Sequence, residues 1–325
     1  MGLLAAGRAL RTVGRHLFVH SGAVPLALRY PPGGVRIVMY HGVSSSGVPV
    51  DRFRRQLAFL RRHFESYWVS DLPRLLSGEI QPSRPPVVLT FDDGLRNNAT
   101  VAAPMLDAHG LKATFYLVAG MLEGGIMIWN HELQCRLWSA PEGAHLPEGV
   151  PHLPPRGKGR WGAISRFIQA VKQWPDDRRS GLLAAVRRAT PGFRPTPWMR
   201  EEFEIMSVDE ARRLPPGIEV GSHTLTHPIL DRLPPDRARE EIAGSRAVLE
   251  DKLQREVRTF CYPNGQFSDL VAGLVSENYD AAVTVEQGVA APRHSIHRLP
   301  RIIPGESFEQ FVAWLVRPPR LRDGS

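Results

Sequence analysis

The strongest constraint on this chain is a run that cannot be long and cannot be exposed. Pro85 and Pro86 precede Val87-Val88-Leu89-Thr90-Phe91, and Asp92-Asp93-Gly94 follows at once. Five apolar or β-branched residues between a proline stop and a glycine turn read as a buried strand. Other segments repeat the pattern. Val35 to Tyr40, Ala113 to Val118, Ile218 to Ser222, Val257 to Tyr262 and Ala281 to Val285 read as strands. Arg52 to His63, Ala99 to His109, Pro235 to Gln254 and Leu270 to Glu277 carry helical patterns between them. Strands alternating with helices predict a parallel sheet or barrel, whose polar motifs lie just after the strands.

The pattern degrades between about 120 and 199. PEGAHLPEGVPHLPPRGKGR, at 141–160, is rich in proline and glycine, with helical patterns on either side at Trp129 to Trp138 and Ala163 to Trp174. We read this stretch as a helical, Pro/Gly-rich insertion or lid. It holds Trp129, Trp138, Trp161, Trp174 and Trp198, five of the seven tryptophans. Packing of the insertion onto the barrel is the preferred reading of these rings; stacking on sugar rings is the other.

Residues 1–30 form a separate unit in this reading. Leu4, Ala5, Leu10, Val13 and Leu17 recur at helical spacing with Arg8, Arg11, Arg15 and His16 among them, a basic amphipathic helix. Packing on the domain and contact with an anionic membrane surface are both compatible with it. No apolar run approaches membrane-spanning or signal-peptide length, so the expectation is a cytoplasmic protein, including one peripheral to the inner face of the membrane. Residues 31–325 make up the main domain.

The net charge of +8 is carried mainly by arginine; only Lys112, Lys158, Lys172 and Lys252 are lysines. The arginines are spread along the chain rather than clustered with aromatics, so no nucleic-acid partner is expected. Cys135 and Cys261 are the only cysteines, and Cys261 lies in a strand pattern where a buried thiol is expected.

The chemistry gathers in two places. Asp92 and Asp93 stand together at a strand end, which is costly unless a cation or a shared proton relieves them. His223 and His227, in EVGSHTLTH at 219–227, have a spacing that places two imidazoles on one face of a helical turn. Carboxylate and imidazole suit Zn²⁺ and other first-row divalent ions, and three protein ligands leave positions open for water and substrate.

With these motifs the chain resembles the polysaccharide deacetylases of the NodB-homology, carbohydrate esterase 4 group. Thr90-Phe91-Asp92-Asp93-Gly94 is similar to that family's first motif, Ser222-His223-Thr224-Leu225-Thr226-His227 to its second, and Phe260-Cys261-Tyr262-Pro263-Asn264-Gly265 to its third. Val38-Met39-Tyr40-His41-Gly42-Val43 is similar to the opening strand of members found among exopolysaccharide-synthesis proteins.

The resemblance implies a distorted (β/α) barrel with fewer than eight regular units. It implies a metal-dependent hydrolase that removes an N-acyl group, acetyl first, from an amino sugar of a polysaccharide or lipid-linked saccharide. Carried over, Asp92 is the general base and Asp93, His223 and His227 hold a divalent metal, Zn²⁺ first, with Co²⁺ and Ni²⁺ also accommodated. Asn264 maps onto a main-chain oxyanion donor, with Tyr262 beside it. The third motif's arginine is replaced by Cys261; Arg301 is a candidate substitute, and a surface arginine is the alternative. The late Leu-x-His motif is Ser295-Ile296-His297 here, making His297 the first candidate for general acid and His41 the second. The competing readings are an inactive carbohydrate-binding barrel and a membrane-surface scaffold in exopolysaccharide assembly.

Overall fold

A computed structural model describes residues 13–19, 21–29 and 33–317. Strands β1 (Arg36–Tyr40), β2 (Glu65–Tyr67), β3 (Pro86–Phe91), β4 (Ala113–Leu117), β5 (Ile218–Ser222), β6 (Thr259–Cys261), β7 (Ala281–Gln287) and β8 (Leu299–Arg301) form one sheet. Its order is β1-β3-β4-β5-β6-β7-β8, and every named pair is parallel. The short β2 takes the first residues of β3, from Pro86 to Val88, while β4 takes the last, Thr90 and Phe91. The ring closes where Met39 N donates to Ile302 O at 2.9 Å and Ile302 N to Ile37 O at 2.6 Å. This is a distorted (β/α) barrel, thinnest between β5 and β6, where the register is a single pair, Ser222 and Phe260.

The two-residue alternation of the strands decides what fills the barrel. Ile37, Val88, Tyr116, Cys261, Val283 and Leu299 belong to one buried cluster inside it. Their neighbours Val38, Leu89, Phe115, Phe260 and Ala282 pack outward against the helices. Burial on both faces explains why these strands read as continuous apolar runs. Interior space is tight: a Cβ on Gly221 would stand 2.5 Å from the Tyr116 ring and 2.7 Å from Thr259 Oγ1. Outside, the helix Val50–His63 buries Phe53, Leu57 and Leu60, each worth roughly 1.5–3 kcal/mol of apolar transfer. Asp51 in its first turn and Arg61, Arg62 and His63 in its last oppose the helix dipole.

Several expectations need correction. The helix expected at Ala99 to His109 is a π-helical turn, Asn98–Ala102, running into an α-helix, Ala103–Ala108. The N-terminal segment is two helices, 13–19 and Ala23–Arg29, turning at Ser21-Gly22. Val24 and Leu28 join the core, whereas Val13, Leu17 and Leu26 are exposed; residues 1–12 lie outside the described residues. The insertion is more helical than expected. Trp129–Ser139, Lys158–Val171 and the unforeseen Asp176–Ala189 build a core of their own, with Leu133, Ile164, Val171 and Val186 fully buried.

Candidate active site

The site lies at the C-terminal ends of the strands. Val88 and Thr90 face the interior, so Asp92, the next residue of the same parity, does too. Arg301 reaches the same place from β8, two residues after the inward Leu299. Its Nη1 donates to Asp92 Oδ1 and its Nη2 to Asp92 Oδ2, both at 2.7 Å, a bidentate fork. The guanidinium also donates to Thr90 Oγ1 at 3.0 Å, Thr284 O at 2.6 Å and Cys261 Sγ at 3.3 Å. Both partners are buried, Asp92 at 3% exposure and Arg301 at 1%. Burial by itself would raise the Asp92 carboxyl, but the Arg301 charge and fork hold it below the usual carboxylate range. Cys261, fully buried, lies against the Arg301 guanidinium.

Asp93 turns back from Asp92 with a left-handed backbone, φ 70°, followed by Gly94 at φ 66°. Its Oδ1 lies 3.5 Å from His223 Nε2 and 3.3 Å from His227 Nε2. His223 Nδ1 is 2.7 Å from the carbonyl oxygen of Cys261, which can only accept, so Nδ1 carries the hydrogen. In the neutral ring Nε2 then presents a lone pair to a carboxylate oxygen, two acceptors facing each other. A cation between them resolves that conflict. The ligand atoms of Asp93, His223 and His227 lie within 4.8 Å of one another and are buried, and the donor set fits a divalent ion. Burial opposes charge on Asp93, yet hydrogen bonds from His223 and His227 hold it well below the carboxylate range. Burial also pulls His223 down, but Cys261 and Asp93 outweigh it and the net direction is up. Burial prevails at His227, which is lowered. The field that keeps a proton on His223 would equally hold a metal cation.

The two histidines do not share a helical face. Residues 223–227 form an irregular turn with left-handed Thr224 (φ 68°) and His227 (φ 61°). Glu241, from the helix Pro235–Leu253, holds this turn: its Oε2 accepts from Leu225 N at 2.8 Å and Thr226 N at 2.9 Å, and its Oε1 from Thr226 Oγ1 at 2.6 Å. Thr224 Oγ1 accepts from His227 N at 3.0 Å, and Trp129 Nε1 donates to His227 O at 3.1 Å. Backbone strain of this kind persists only where surrounding contacts impose it.

Other candidates divide. His41 follows β1 on the rim, is exposed, and its charge acts on both Asp92 and Asp93. Asn264 sits after β6 with φ 57°, and its Nδ2 is buried with no hydrogen-bond partner among the described residues. Tyr262 has the opposite parity to Cys261, so its side chain leaves the barrel. It packs edge-on to Phe260 and donates to His297 O at 2.9 Å, so only its main chain is near the rim. His297 is not brought to the site. It precedes β8, and its Nε2 donates to Tyr279 O, just before β7, at 2.8 Å. That is the opposite end of the barrel from Asp92. Two residues of the insertion went unforeseen. His131 is partly buried, pushed down to about 4 by burial against the pull of Asp93. Lys172 brings a positive charge to Asp93 and His227.

A parallel barrel with an acid held by arginine beside a carboxylate and two imidazoles defines a hydrolase barrel of the NodB type. Residues 79–145 and 196–281 match the polysaccharide deacetylase family. The match leaves out 146–195, most of the insertion's proline-rich run and two of its helices. The chain is 22% identical over 292 residues to YxkH of Bacillus subtilis (strain 168), a polysaccharide deacetylase by name, covering 87% of this chain and 77% of that one. Its fold is similar to the Streptococcus pyogenes deacetylase PplD (TM-score 0.58, 19% identity, 88% of this chain and 100% of that one). It is also similar to IcaB from Ammonifex degensii (TM-score 0.57, 19% identity, 88% and 98%).

Proposed function

We propose that this protein is a metal-dependent hydrolase that removes the acetyl group from an amino sugar of a polysaccharide or lipid-linked saccharide. The observation that carries the reading is the convergence of two sets on one rim. Asp92 is gripped by Arg301, and Asp93, His223 and His227 point their ligand atoms at one position. An inactive binding barrel would have no need to keep both sets. A divalent ion there, Zn²⁺ by donor preference, would polarise the acyl carbonyl and acidify water. The residues do the rest. Arg301 holds Asp92 ionised and oriented, and Asp92 takes the proton of the attacking water. The main-chain N–H at Asn264, in the turn after β6, would serve as the oxyanion donor. His41, exposed on the rim after β1, hands a proton to the departing amine, general acid work that imidazole commonly performs. The basic N-terminal segment, with Val13, Leu17 and Leu26 exposed, supports a cytoplasmic placement against the membrane surface. Among the described residues no helix is long and apolar enough to cross a membrane.

The test is acetate release from chitooligosaccharides, glucosamine polymers and lipid-linked amino sugars. Activity should vanish with chelator and return with Zn²⁺, Co²⁺ or Ni²⁺; chelator-resistant release, or none from any substrate, defeats the reading. His223→Ala and His227→Ala should each lose metal sharply, measured by elemental analysis. Wild-type occupancy should fall below about pH 6 as the imidazoles protonate. His41→Ala should lose roughly 10²-fold in turnover with metal retained. His297→Ala should keep its turnover; the reverse pair of results would return the acid's role to His297.

A further inference from the structure

The insertion borders a half-open cavity of about 620 Å³ that the catalytic reading does not use. The helix Trp129–Ser139 leads to it from the rim. Trp129 donates to the carbonyl of His227, while Trp138, nine residues and about 14 Å along the helix, lines the cavity. A row of rings follows the same path. His131 lies 4.7 Å from Phe203, Phe203 5.7 Å from Trp198, Trp198 5.9 Å from Trp161, and Trp161 5.4 Å from Trp138, between centroids. Trp198 also ties the cavity to the loop after His41, donating to Ser45 Oγ at 3.3 Å.

The cavity's arginines are not alike. Arg136 is consumed by Glu132, Thr190 and the Phe193 ring. Arg156 and Arg194 are exposed and give one hydrogen bond each, to Ser139 O and Phe193 O, both at 2.9 Å. Neither meets a carboxylate among the described residues. Two unpaired guanidinium forks beside Trp138 and Trp198 offer anion recognition and flat apolar faces together. This combination suits a charged sugar better than an apolar ligand.

We propose that this cavity is a distal subsite of the deacetylase, taking a saccharide unit that carries a carboxylate or phosphate while the acetamido sugar lies at Asp92. The proposal rests on the deacetylase reading and narrows its substrate to an anionic oligosaccharide. The tryptophans of the insertion then serve both readings: Trp129 and Trp174 pack its core, and Trp138 and Trp198 face the ligand.

Three probes test it on the metal-loaded protein: chitotetraose, a hyaluronan tetrasaccharide and chitotriose 1-phosphate. Binding is read by tryptophan fluorescence and turnover by acetate release. At least one anionic probe should bind about tenfold or more tighter than chitotetraose at low salt, the scale of one hydrogen bond to a charged group. The double variant Arg156→Gln/Arg194→Gln should abolish that advantage through KM, with kcat and chitotetraose binding unchanged; both side chains are exposed, so folding is not at stake. Trp198→Leu should weaken all three probes. Equal binding of neutral and anionic probes, or an advantage that survives in the double variant, overturns the subsite. Because fluorescence reports binding without turnover, a failure to release acetate would count against the catalytic reading and leave the subsite to be decided by binding alone. The probe that wins identifies the anion.

Discussion

Asp92→Asn is expected to keep its metal and lose turnover by roughly two to four orders of magnitude, the weight of a general base. Both carboxylate oxygens accept from Arg301 at 2.7 Å, yet each has a second lone pair. Arg301 thus orients the group without exhausting its basicity. Asparagine has the same shape but offers no basic oxygen at the pH of the reaction, and its amide turns one donor toward a guanidinium donor. Asp93→Asn should behave oppositely, because its Oδ1 is the atom that both imidazoles approach. Metal content by elemental analysis and acetate release by enzymatic assay separate the two. An Asp92→Asn protein that loses its metal, beside an Asp93→Asn protein that keeps it, would exchange the roles.

That these residues could be found in the chain follows from how the barrel is built. An apolar strand with a two-residue alternation specifies which face its last residues take, so Asp92 and His223 were legible from Val88-Thr90 and Glu219-Gly221. Arg301 offered a weaker signal. Its strand is three residues long with Pro300 in the middle, and arginine is ordinarily a surface residue. Only the partner, 209 residues away in sequence, makes its burial favourable. His297 misled because Ser295-Ile296-His297 resembles a motif as a string, while the turn before β8 sends the ring to Tyr279 O. The left-handed turn carrying His227 was hidden for a similar reason: Glu241, which imposes it, lies in the following helix. His131 and Lys172 come from the insertion, where no alternation connects residue number to direction. By contrast, the helix Asp176–Ala189 was readable and was missed. Pro175 precedes it, Asp176 and Asp177 open it, and Arg187 and Arg188 close it, the charge order a helix dipole favours.

Arg301→Met should have the largest effect on the folded state, because it removes one partner of a buried charge pair and leaves the other. Such a change costs about 3–5 kcal/mol. The pH dependence gives the effect its sign. In the wild type the folded-state pKa of Asp92 is held below its unfolded value. The pair's contribution is therefore present at pH above the ordinary carboxylate value and is lost as pH falls through the depressed one. Without Arg301, burial is opposed only by the smaller effects of His41 and His223, and the carboxyl moves up instead. The variant then loses stability as pH rises from the ordinary carboxylate value through the new, higher one, so its deficit against wild type should be larger at pH 8 than at pH 5. Urea unfolding at the two pH values measures this directly. The same shift leaves part of the base protonated during catalysis, so the acid limb of the pH–rate profile should move to higher pH. Arg301→Lys, which keeps the charge and loses the fork, should fall between the two proteins on both measurements. A methionine variant with the wild-type urea midpoint and an unmoved acid limb would show that Arg301 only fills space, and that Asp92 is kept ionised by something else on the rim.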